Sequence, residues 1–158
     1  MADRYGAFIL WGETMNPNYI HTITLFNCLK ASDNLEKKED IWYRTILHEC
    51  FYKATIERVE SGGMLGMDNA YTVRIPESDR YLPYREWAAL SEKERSAYFT
   101  IHMDDIILYG ERTDEEVSRS AGRTAAEVIR RNKPDAFRVK AFSDNTGFPV
   151  DGHYRLGG

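Results

Sequence analysis

Residues 41–76 read IWYRTILHECFYKATIERVESGGMLGMDNAYTVRIP, and this stretch decides the fold. From Ile41 to Val59 it is rich in β-branched and aromatic residues, which suit a pleated surface and are poor helix formers. The run is too long for one flat strand. It divides into Ile41–Leu47 and Cys50–Val59, with a bend or bulge at His48-Glu49. Glu60–Met67 then carries Gly62, Gly63 and Gly66 among Met64, Leu65 and Met67. Ala70–Ile75 alternates polar and apolar and stops at Pro76. The stretch therefore predicts a long β-excursion with a flexible glycine-rich tip.

The flanks extend this β character. His21–Asn27 alternates, with Ile23 and Leu25 on one side and Thr22 and Thr24 on the other, as a half-buried strand does. Lys30–Asp40 is charged and reads as a loop. Glu77–Ala97 is a connection in which Tyr81, Tyr84 and Trp87 cover a core edge and Ser91 with Glu94 caps one short helical turn. Tyr98–Glu111 holds two strand-like pieces around Met103-Asp104-Asp105, and Gly110 ends the second. Thr113 with Glu116 reads as another capping box, followed by Val117, Ala121, Ala125, Val128 and Ile129 at helical spacing. That predicts a helix over 114–131, stopped by Pro134 beyond Asn132. Ala136–Ser143 alternates again, Asp144–Gly147 is a turn, and His153–Leu156 is a last short strand.

The sum is a mainly β fold with one α-helix, an α+β chain of six or seven strands. It closes as a small β-barrel or sandwich with a long glycine-rich loop. Residues 1–19 read as an N-terminal arm and 20–158 as a single domain. Within the arm, Tyr5, Phe8 and Trp11 are apolar groups suited to packing on a neighbour.

The net charge is −4, so the chain lacks the basic surplus expected of a protein that grips DNA through its phosphates. Arg119, Arg123, Arg130 and Arg131 put a basic side on the 114–131 helix, but Glu115, Glu116 and Glu127 offset it. A solvated amphipathic face is the preferred reading there, with a small nucleic-acid-binding module as an alternative. Two cysteines, Cys28 and Cys50, are too few for a disulfide scaffold, and both are expected to be reduced thiols. Ala7–Trp11 is too short for a signal-peptide core, and no apolar run is long enough to cross a bilayer. Synthesis in the cytoplasm and no membrane contact are the expectations.

Catalytic constellations are weak. His48, Glu49 and Cys50 stand in a row, but strand alternation lets only His48 and Cys50 share an ion, too few for zinc. Asp104, Asp105 and Glu111 are the carboxylates a metal-dependent nuclease needs, with Lys140 the one late lysine available for a phosphate. Aspartate pairs between strands are more commonly turn residues. Ser61-Gly62-Gly63 lacks the context of a hydrolase elbow. Gly62-Gly63-x-x-Gly66 lacks the ending of a phosphate loop and precedes a strand. No catalytic, cofactor or metal site is assigned, and the chain reads as a non-enzyme. Gly62, Gly63, Met64, Leu65, Gly66 and Met67 instead form a mobile, methionine-bearing surface suited to partner contact.

The order of elements resembles the small head–tail connector proteins of tailed bacteriophages, in particular head-closure or stopper proteins. The resemblance runs from Ile20 to the C-terminus. It is carried by HTITLFN, by DIWYRTILHECFYKATIERV, by ESGGMLGM before AYTVRIP, by FTIHMDDIILYGE and by the closing FRVKAFSDNTGFPVDGHYRLGG. The 113–131 helix and the long 77–97 connection depart from the smallest members and leave the neck layer open: adaptor, stopper or tail terminator. The resemblance implies a β-barrel in a homo-oligomeric ring, a hexamer, in the neck of the virion. The ring would sit between portal or adaptor and tail proteins and help retain packaged DNA, which passes the lumen without sequence-specific binding. It implies no active site.

Overall fold

The computed structural model describes residues 17–61 and 64–158, with main chain alone for 56–61 and 64–69. The strands are β1 (His21–Leu29), β2 (Ile41–Ser61), β3 (Met64–Pro76), β4 (Ile106–Tyr109), β5 (Ala136–Arg138), β6 (Ala141–Asp144) and β7 (His153–Gly157). The helices are α1 (Tyr84–Ala88), α2 (Glu92–Ala97) and α3 (Ala125–Asn132). All seven strands join one antiparallel sheet in the order β5-β4-β1-β2-β3-β7-β6, curled into a half-barrel. The mainly β, α+β reading holds.

β2 is the spine. Its first half pairs with β1 and its second half with β3. Between the register pairs Ile23↔Leu47 and His21↔Cys50, β2 spends one residue more than β1, and Glu49 takes a left-handed φ of 58°. This is the bulge expected at His48-Glu49, and it turns one long strand from one half of the sheet into the other. The sheet's two outermost strands, β5 and β6, are consecutive in the chain, separated only by Val139 and Lys140. The Val139 N–H donates to the Asp105 carbonyl (2.8 Å) and the Lys140 N–H to the Gly157 carbonyl (2.8 Å). One extended segment thus serves both edges of the curl, which leaves fewer open edges for stray pairing. The single strand read over Ala136–Ser143 is divided here because its two ends answer to opposite edges.

The concave side holds one core, including Ile23, Leu25, Leu47, Val73, Phe99, Ile107, Phe137 and Leu156. A second cluster of Phe26, Ile106, Leu108, Val117, Val128 and Ala136 lies beneath α3. β1 and β4 therefore bury both faces. That is why IILY at 106–109 is a continuous apolar run: Ile107 faces one core while Ile106 and Leu108 face the other. Each of these fully buried side chains contributes about 1.5–3 kcal/mol. Trp87 is fully buried, Tyr81 packs against the first core, and α2 carries the Ser91/Glu94 capping box.

Two expectations are corrected. The helix does not span 114–131: α3 begins at Ala125, and its N-cap is Thr124, whose hydroxyl accepts from the Glu127 N–H. Upstream, Gly122 adopts φ +71° inside a Ser118–Arg123 β-bridge, a conformation that a helix cannot contain. The stretch 60–67 is also not a loose loop. β2 and β3 stay in register out to Ser61↔Met64, so only Gly62-Gly63 joins them, and these lie outside the described residues.

A candidate assembly surface

β1 stops pairing with β2 at Cys50, and β7 first meets β3 at Thr72↔Gly157. Past these points β2 and β3 continue together for seven register pairs, from Thr55↔Ala70 to Ser61↔Met64. At strand rise this is a ribbon about 20 Å long. Among the described residues no other strand pairs with either of its edges. Its root is fixed by aromatic contacts. The Tyr52 ring stacks on Tyr109 and the Tyr71 ring on Phe137, both at 4.6 Å, and the Arg74 guanidinium lies 5.2 Å from the Phe51 ring. The Tyr71 hydroxyl donates to the Pro134 carbonyl at 3.0 Å.

The expected assembly residues fall on this ribbon in part. Met64, Leu65, Gly66 and Met67 occupy its β3 strand, opposite Ser61, Glu60, Val59 and Arg58. Gly62 and Gly63, and Tyr5, Phe8 and Trp11 of the arm, lie outside the described residues. Tyr19, placed in the arm by the sequence reading, is a core residue at 4% exposure. It sits beside Asp151, and burial together with that charge raises its pKa. Close to this contact along the chain, Ile20, Phe148 and Val150 stand out at 75%, 61% and 81% exposure. Phe148 and Val150 lie between the Asp144–Gly147 turn and the His153–Leu156 strand and drew no reading from the sequence.

The three carboxylates considered for a nuclease are not gathered. Asp105 is fully buried: its carboxylate accepts from the Cys28 N–H (3.1 Å), the His102 N–H (2.8 Å) and the Asn27 amide (2.8 Å). Desolvation pushes its pKa up to about 7 in spite of those donors. Asp104 is exposed at a φ of 71°. Glu111 lies 3.9 Å from His48 on the surface. Among the described residues no three His, Cys, Asp or Glu side chains converge as metal ligands would. Cys50 is buried while the His48 side chain is exposed, so these two do not face one site. Both thiols are free, and burial pushes each up to about 12, which leaves them unreactive as thiolates. No helix is long and apolar enough to cross a membrane among the described residues.

Sequence comparison gives one family. The model described as "Family of unknown function (DUF6751)" matches residues 19–158, and the chain belongs to that family. No curated protein and no solved structure matches it.

Proposed function

We propose that this member of the DUF6751 family is a ring-forming structural protein of a phage neck, a head-closure component between portal or adaptor and tail. The observation that carries the reading is the β2–β3 ribbon. A two-stranded ribbon is marginal in water by itself, and among the described residues no further strand pairs with either edge of this one. Such an element is retained where a neighbour completes it, by strand addition along an edge or by packing on its faces. A contact of one subunit's ribbon with the next subunit is heterologous, and where its rotation closes on itself it makes a ring. The exposed side chains of Ile20, Phe148 and Val150 offer further apolar groups for such a contact. The resemblance in element order to phage connectors supplies the hexameric count, the neck location and the role in retaining packaged DNA.

Native mass spectrometry of the full chain, alone and mixed with portal, adaptor and tail proteins of a tailed phage, tests this reading. A closed ring, alone or on one of these partners, is expected. A chain that stays monomeric and binds none of them overturns it.

A further inference from the structure

We infer that the face formed by α3, the β5–β6 segment and the 30–40 loop binds the phosphate backbone of duplex DNA. Two adjoining grooves make this face, and Arg138 lines both. Lys30, Lys38 and Arg119 line the first groove, with Thr124 and Ala125 of α3 at its side. Lys133 and Lys140 line the second, with Ala126, Ile129 and Arg130 of α3 at its side. Three carboxylate residues, Glu39, Asp40 and Asp104, line the first groove, and no Asp or Glu lines the second. An Asp40 oxygen is already engaged by the Ala31 N–H at 2.8 Å.

Arg123 and Arg130 are neutralised locally by Glu115 and Glu127. Among the described residues Lys30, Lys38, Arg119, Arg138, Lys133 and Lys140 have no carboxylate within ion-pair distance. Six cations without an ion-pair partner, against three carboxylates, leave this face net positive in a chain whose net charge is −4.

The composition of the strip selects the partner. Four of the six are lysines, a residue depleted at protein–protein interfaces but ordinary at phosphates. Lysine is a mobile point charge and fits a repeating anion without fixed geometry, so the contact expected is independent of base sequence. The inference stands on this charge geometry and does not depend on ring assembly.

Fluorescence anisotropy with a mixed-sequence duplex of about 30 base pairs tests it, using the full chain at about 50 and about 200 mM salt. Binding at the lower salt is expected, weakening by roughly a hundredfold or more at the higher. The variant Lys133→Glu/Lys140→Glu, and separately Lys30→Glu/Lys38→Glu, should each weaken binding by at least about tenfold and flatten the salt slope by about 2. Lys93→Glu, on exposed α2 and lining neither groove, should bind as the parent does. Unchanged thermal melts show that the charge reversals leave the fold intact. The proposal is overturned by no duplex binding at low salt, or by strip variants that bind like Lys93→Glu. It is equally overturned if polyglutamate displaces the duplex more strongly than unlabelled duplex does at equal charge concentration, because the strip is then a site for an acidic protein.

Discussion

Asp105 draws three N–H donors from β1 and the 102–105 turn onto one carboxyl group, and the Asn27 side chain ties the same place to Thr100 through the Thr100 N–H and carbonyl. Removing the carboxyl strands those donors in a dry site. Asp105→Ala is therefore expected to lower unfolding free energy by about 3 kcal/mol or more, measured by urea titration. A pH signature accompanies it. The folded-state pKa, near 7, lies above the ordinary 3.8, so between these values the native state holds the proton that the unfolded chain releases. Asp105 thus favours folding most at low pH, and this contribution declines as pH rises from about 4 through about 7. Comparing melts of the parent and Asp105→Asn at pH 5 and pH 8 isolates it: the parent should lose more stability on going to pH 8 than the variant does. An equal loss would mean that Asp105 is ionised throughout. From the sequence, the Asp104-Asp105 pair looked like turn residues or metal ligands. Nothing local distinguishes the exposed member from the buried one, because the donors to Asp105 include Asn27 and Cys28, far away in the chain.

At the scale of elements, the 113–124 segment shows how a helical pattern can be overridden. Its spacing of Val117, Ala121 and Ala125 is helical, yet Gly122 and the Ser118–Arg123 bridge turn the chain instead. What holds the alternative is Glu115, almost fully buried, which takes a two-pronged contact from Arg131 (2.9 and 3.3 Å), a weaker one from Arg123 (3.5 Å) and the Asn132 amide. Burial raises the Glu115 pKa, but Arg131, Asn132 and Arg123 outweigh it and hold the group below its ordinary value. Its contribution is present above the ordinary glutamate range and is lost as pH falls through the depressed value. Glu115→Ala should cost about 1–3 kcal/mol and loosen α3, read as faster amide exchange over Ala125–Asn132. Unchanged exchange there would show that α3 is held by Val128 and Ile129 alone. The Ser91/Glu94 box, by contrast, was legible because a capping box is a contact between residues three apart.

Across the whole molecule, the ribbon and the body separate. The cores contain Tyr52, Tyr71 and Val73 at the ribbon's root, while β1 and β7 pair with β2 and β3 only on the body side of it. Replacing Glu57–Asp68 by Asn-Gly should leave unfolding free energy within about 1 kcal/mol of the parent. The same change should abolish the ring in native mass spectrometry. A truncated chain that still assembles would move the interface to Ile20, Phe148 and Val150. Net charge proved a poor guide at this scale. A total of −4 hides a strip whose cations come from 30, 38, 119, 133, 138 and 140.

The amino-acid sequence by itself determined the strands around the 41–76 stretch, the bulge at His48-Glu49, the cap at Ser91 and the halt before Pro134. Each rests on side-chain alternation, backbone freedom or hydrogen bonding among near neighbours, and these act within a few residues. Only the tertiary structure decided that β5 and β6 occupy opposite edges of one curled sheet, that Asp105 is buried while Asp104 is not, and that scattered lysines and arginines share one face. Those outcomes depend on which distant segments meet. The glycine-rich excursion belongs to both: its residues announced a β-excursion with a loose tip, and the pairing of β2 with β3 carried the ladder out to Ser61↔Met64.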